Sequence, residues 1–154
     1  ADHARSLRMT YYGASGEGVG TFLRDKPPES TFLDGMVDPD PLPAYLTAAD
    51  IDVYAAAYAQ SGWHGPLNRY RAQGLDAADI GQLDGGDLDQ PAAFIGGERD
   101  SVRRFIPGLD LFERAQNHCN DFHGTTIVPG VGHWVQQEAP DATNAALDRF
   151  LDGL

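Results

Sequence analysis

Basic residues are scarce in this chain: 11 Lys and Arg stand against 23 Asp and Glu, a formal charge of −12 over 154 residues. A field of that sign repels phosphate backbones and anionic headgroups, so neither nucleic acid nor a membrane surface is expected as a partner. Long apolar runs are missing too. None approaches the length that crosses a bilayer, and the first residues lack the charged-then-apolar form of a signal peptide. Cysteine occurs once, at Cys119, which excludes an internal disulfide and fits a reducing cytoplasm, the expected location. The glycine-rich residues 13–20 lack the Gly-Lys-Ser/Thr ending of a phosphate loop and miss the dinucleotide spacing. His118, Cys119 and His123 match no usual zinc pattern, so neither a metal nor any other cofactor is expected.

What is present suits one domain with a modest core, with 42% hydrophobic and 22% charged residues. Residues 1–46 read as irregular; Leu7 to Tyr12 fit a short strand or a helix end equally well. Five prolines between Lys26 and Pro43 mark a long excursion of the kind that runs over a site as a lid. A helix then starts at Thr47, with Asp50 three residues on as a capping pair, and Gly62 closes it. Ile51, Tyr54, Ala55 and Tyr58 share its apolar face, and core packing accounts for both tyrosines. A bend and a short second helix with Pro66 in its first turn follow, and residues 72–90 read as a linker or surface loop.

Beyond Gln90 the texture changes. Residues 91–96 and 125–128 are short uncharged runs that read as buried strands. A helix is expected from Pro107 to His118 with Leu109, Leu111, Phe112 and Ala115 inward, and a last helix from about Pro140 that buries Leu147, Phe150 and Leu151. Strand, helix, strand, helix predicts two parallel strands joined by a right-handed crossover. The loops carrying Asp100 and His133 then leave the same carboxyl edge of the sheet. A carboxylate there can fix the imidazole's tautomer and leave the other ring nitrogen free to take a proton. Acid followed by histidine is the α/β-hydrolase order, which places the nucleophile earlier still. No strand–elbow–helix of that kind is evident. Ser15 has the right place in the order and Gly13 two residues before it, but Glu17 stands where the elbow needs glycine and would oppose an oxyanion.

At these residues the sequence resembles the C-terminal half of an epoxide hydrolase of the α/β-hydrolase fold. The segments that carry the resemblance are LTAADIDVYAAAYAQSGWHGPLNRYR, PAAFIGGERD and VPGVGHWVQQEAP, with TYYGASGEGV resembling part of the cap in bacterial members. The resemblance implies that His133 activates water, that Asp100 orients it, and that Tyr70 is one of two cap tyrosines that hold and protonate the epoxide oxygen. Trp134 suits a pocket wall, with core packing an equally good account, while Gln137 and Glu138 read as surface residues of the turn. The family's aspartate nucleophile on its elbow, its His-Gly-x-Pro oxyanion loop and its second cap tyrosine find no counterpart here; Tyr11 and Tyr12 do not sit in the expected setting.

The expected architecture is therefore α/β. Residues 1–90 form a partial, mostly helical cap with a linker, and residues 91–154 the C-terminal βαβα part of the hydrolase core, parallel strands with crossover helices. The expected function is opening of epoxides to vicinal diols through a covalent alkyl-enzyme ester whose nucleophile lies outside this chain. The expected partners are a small epoxide and the complementary N-terminal half of the enzyme, with a homo-oligomer possible. Two other readings stand beside it: an ester hydrolase using Ser15, and a non-catalytic fragment that only associates with a complementary half.

Overall fold

In the computed structural model, residues 2–21, 26–80 and 87–154 are described. The first element is a helix, α1 (His3–Ala14), where the sequence reads as irregular. Asp2 caps it by accepting from the Arg5 N–H at 2.9 Å. Its inward residues, Ala4, Leu7 and Tyr11, follow helical spacing, but Arg5, Arg8 and Thr10 between them hide the period. The proline-rich excursion is held to α1 where Asp38 takes both Nε and Nη2 of Arg8 at 2.8 Å.

Helix α2 (Ala48–Ser61) begins as expected. Thr47 Oγ1 accepts from the Asp50 N–H at 3.2 Å while Asp50 accepts from the Thr47 N–H at 2.9 Å. Its Ile51 joins Leu7 and Leu46 in a buried cluster, with Tyr45, Tyr54, Tyr58 and Trp63 packed around it. This is core packing for Tyr54 and Tyr58, as the helical spacing predicts. Two short helices follow, α3 (His64–Arg71) and α4 (Gln73–Ile80). The second falls where a linker is expected; it buries no residue, so no apolar stripe marks it in the sequence. The remainder of that expected linker up to residue 86 lies outside the described residues from position 81 on.

Strands β1 (Ala92–Gly97) and β2 (Phe122–Val128) pair in parallel, with Phe94 opposite Thr125 and Gly97 opposite Val128. The connection between them corrects the expected helix from Pro107 to His118. It holds two single 3₁₀ turns instead, Ser101–Arg104 and Ala115–His118. Gly108 at φ 79° breaks any helix there, and Asp110 folds the segment back by taking Arg103 Nε at 2.7 Å and the Phe112 N–H at 3.1 Å. Phe112 is nevertheless buried, its ring 4.7 Å from that of Phe94.

The chain ends in a short turn of helix, α5 (Val135–Glu138), and α6 (Pro140–Leu151). Of the residues expected to be buried on α6, Phe150 is half-buried against His123, but Leu147 and Leu151 are exposed. The inward stripe is Thr143, Ala146 and Phe150; Leu147 and Leu151 lie one position round on its flank, and helical spacing alone does not choose between adjoining stripes. No helix among the described residues is long and apolar enough to cross a membrane.

The buried cluster between α1 and α2 yields a direct stability expectation. Ile51→Ala removes a fully packed side chain and should cost about 2–5 kcal/mol in denaturant unfolding followed by circular dichroism. Val53→Ala, at a position 67% exposed, should cost far less in the same experiment.

Candidate active site

Asp100 and His133 meet. Asp100 follows the turn after β1 and is 8% exposed; its Oδ2 lies 2.9 Å from Nδ1 of His133. Its other oxygen accepts the Val102 N–H at 2.8 Å and so caps the first 3₁₀ turn. An ionised carboxylate can only accept, so Nδ1 of His133 is the donor and, in the neutral ring, Nε2 carries the free lone pair. The His133 side chain is 44% exposed. One face of the base is fixed and the other is open.

The histidine loop is seated by backbone. The His133 N–H donates to the Ala14 carbonyl at 2.8 Å, and the Arg99 N–H to Val131 at 2.8 Å. Three glycines allow the approach: a Cβ on Gly97 would fall 2.1 Å from the Gly132 carbonyl oxygen, one on Gly132 2.4 Å from the Gly16 nitrogen, and one on Gly16 2.1 Å from the Gly130 oxygen. The glycine-rich stretch after α1 therefore lets three segments touch rather than cradling phosphate. Glu98, on the β1 loop, takes the Gly130 N–H at 2.8 Å.

Trp134 is half-buried, donates its indole N–H to the Tyr11 carbonyl at 2.9 Å and stacks on the Tyr11 ring at 4.5 Å. Tyr11 stacks in turn on Tyr54 at 5.4 Å, and the His133 ring meets Trp134 edge-on at 5.0 Å. Gln137 and Glu138 are not the surface residues expected. Gln137 donates to the Tyr54 hydroxyl at 3.4 Å, and the Glu138 carboxylate accepts backbone N–H groups of Gly16, Gly132 and Trp134 at 2.8, 3.0 and 3.1 Å. A carboxylate one turn after unpaired N–H groups at a helix start was the available signal for Glu138.

The other candidates separate from the pair. Ser15 is 1% exposed; its hydroxyl donates to the Tyr12 carbonyl at 2.7 Å and accepts the Gly18 N–H at 3.2 Å, a closing role at the end of α1 rather than an exposed elbow. Tyr70 stands on α3 with 70% of its surface exposed, and no described contact joins it to Asp100 or His133. His118 pairs with Asp87 and His123 with Asp121, each at 3.1 Å, and no group of three metal-ligating side chains converges among the described residues. An open cleft of about 710 Å³ is lined by Arg103, Phe112, His123 and Ile127, away from the acid and the base.

No described protein-family profile matches the chain. Individual proteins do. Epoxide hydrolase B of Mycobacterium tuberculosis is 41% identical over 121 residues, covering 79% of this chain and 33% of that protein. Epoxide hydrolase A of the same organism is 30% identical over 155 residues, 99% of this chain and 47% of its own length. Among solved structures, an epoxide hydrolase from an endophytic Streptomyces superposes with a TM-score of 0.84 at 33% identity, over 97% of this chain and 46% of that one. Epoxide hydrolase A from Mycobacterium thermoresistibile gives 0.82 at 34% identity, over 99% of this chain and 47% of that one. The chain belongs to the epoxide hydrolases of the α/β-hydrolase fold. It spans 33% and 47% of the length of these two curated relatives.

In this epoxide hydrolase chain the Asp100 bond is the main influence on the imidazole, raising the His133 pKa above the ordinary histidine value. Burial opposes it, and the charges of Asp100 and Glu138 add to it. A raised histidine pKa stabilises the fold below the unfolded value, and that contribution is lost as pH rises through the folded value. Nuclear magnetic resonance titration of the His133 ring should give a midpoint above about 6.5. In Asp100→Asn the midpoint should fall, and the pH dependence of the unfolding midpoint should flatten over the same window.

Proposed function

We propose that this chain supplies the water-activating part of an epoxide hydrolase that converts small epoxides to vicinal diols. The 2.9 Å bond between Asp100 and His133 carries the reading, because it produces an oriented base with an open nitrogen. In the first step an aspartate from outside this chain attacks a ring carbon, the C–O bond breaks, and Tyr70 with a second tyrosine donates hydrogen bonds to the departing oxygen, one phenol passing its proton to it. In the second, Nε2 of His133 removes a proton from water as the water oxygen adds to the ester carbonyl. Collapse of that adduct expels the alkoxide, which takes the acid proton to give the diol and the carboxylate, and the imidazolium returns its proton to the tyrosinate. Asp100 stabilises the imidazolium that forms in between. Trp134 walls the pocket beside the base.

On this reading residues 1–90 are part of the cap with its linker, and residues 91–154 the C-terminal part of the hydrolase core. Tyr70 on the outer face of α3 awaits the surface that completes the pocket. The partner is the complementary N-terminal half of the enzyme. Exposed apolar residues on several elements, among them Leu75, Ile80, Phe105 and Leu151, support it. The same residues also suit self-association into a homo-oligomer, which sedimentation of the isolated chain distinguishes. The lone cysteine fits a reducing cytoplasm.

The isolated chain is expected to give no turnover of styrene oxide. Joined to the N-terminal half of a mycobacterial epoxide hydrolase A it should gain diol formation, lowered by about 10²- to 10⁴-fold in His133→Ala. Saturable turnover by the chain alone, or a joined enzyme indifferent to His133→Ala, would overturn the proposal.

A further inference from the structure

Glu138 closes α5, and its carboxylate gathers backbone from two separate stretches of chain. Oε2 accepts from the N–H of Gly16 at 2.8 Å and of Gly132 at 3.0 Å, and Oε1 from that of Trp134 at 3.1 Å. Gly132 and Trp134 flank His133, whose own N–H is held by the Ala14 carbonyl at 2.8 Å. Three consecutive N–H groups around the base are thus fixed, two of them by one side chain. Only an anion serves all three donors: a glutamine offers one acceptor oxygen and turns its own N–H₂ toward the remaining N–H.

The Arg99 guanidinium is engaged by the Gly16 carbonyl oxygen at 3.3 Å. The Tyr45 phenol donates to the Tyr11 carbonyl at 2.9 Å; burial first, with the charges of Glu138 and Glu17 adding, pushes its pKa up and keeps it un-ionised. His133 feels Asp100 on one side and Glu138 as a further negative charge.

We propose that Glu138 is a positioning residue for the base: it fixes the backbone on both sides of His133 and adds a second negative charge to that of Asp100. The inference rests on the reading of His133 as the water-activating group. In catalytic terms it makes the loop's orientation, and the readiness of the imidazole to hold a proton, depend on a residue that never meets the epoxide.

The test is nuclear magnetic resonance on the whole chain, comparing Glu138→Gln and Glu138→Asp with the unsubstituted protein. In Glu138→Gln the His133 titration midpoint should fall, because one of the negative charges that raise it is removed. Amide exchange at Gly16, Gly132 and Trp134 should quicken by about tenfold, the loss of one hydrogen bond each, while amides of the β1–β2 ladder keep their rates. Glu138→Asp keeps the charge on a shorter arm, so it should restore most of the titration midpoint and little of the protection. A merely structural brace would change exchange and thermal stability together and leave the midpoint alone; an unchanged midpoint in Glu138→Gln overturns the proposal. Should Glu138→Gln fail to fold, acid titration of the unsubstituted protein decides. The Gly16, Gly132 and Trp134 amide resonances must then move together as the carboxylate is protonated, and amides that ignore it overturn the proposal. None of these readouts uses turnover, so a failure of the epoxide reading would show separately in the styrene oxide experiment.

Discussion

Everything at the site depends on how closely three stretches of backbone approach one another. The turn after α1, the loop after β1 and the loop after β2 meet at Gly16, Gly97 and Gly132, where an added methyl group would lie 2.1–2.4 Å from a neighbouring main-chain atom. Because no side chain intervenes, the loops lock by direct contact and by hydrogen bonds between peptide groups. An imidazole carried on such a loop loses little freedom when it meets its acid. That is the condition for a base to act in one geometry rather than many.

Acidic groups do most of the fastening. Asp100, Glu98 and Glu138 each take N–H groups from the loops, and Asp100 takes the imidazole as well. Carboxylates are suited to this because each can accept several donors at once, and loop ends are rich in peptide N–H groups without partners. The net charge of the chain, which in the sequence says only that phosphate partners are improbable, is in part spent here on architecture.

Much of this could be read beforehand, and the reasons for the misses are physical. The pairing of Asp100 with His133 follows from two uncharged strands in parallel, since parallel strands send their loops to one edge. The Thr47–Asp50 cap and the α2 face are local signals and survive intact. The segment from Pro107 to His118 misleads because its apolar residues keep helical spacing while Gly108 and the Arg103–Asp110 bond fold it otherwise. Helix α1 hides behind charged residues set between its inward positions, and Glu138 looks like any exposed glutamate until a segment 122 residues away is brought to it. Tyr70 is different in kind: the role proposed for it comes from a family likeness, and no contact of its ring among the described residues expresses it.

One feature of α1 reaches further than its place in the chain suggests. Its last turn supplies the carbonyl oxygens that hold both the His133 peptide and the Trp134 indole, while its flank packs on α2 through Leu7 and Tyr11. The helix thus joins the packing of α2 to the loop that carries the base, so a change that loosens Leu7 reaches His133 through two main-chain carbonyl oxygens rather than through any side-chain contact with the imidazole.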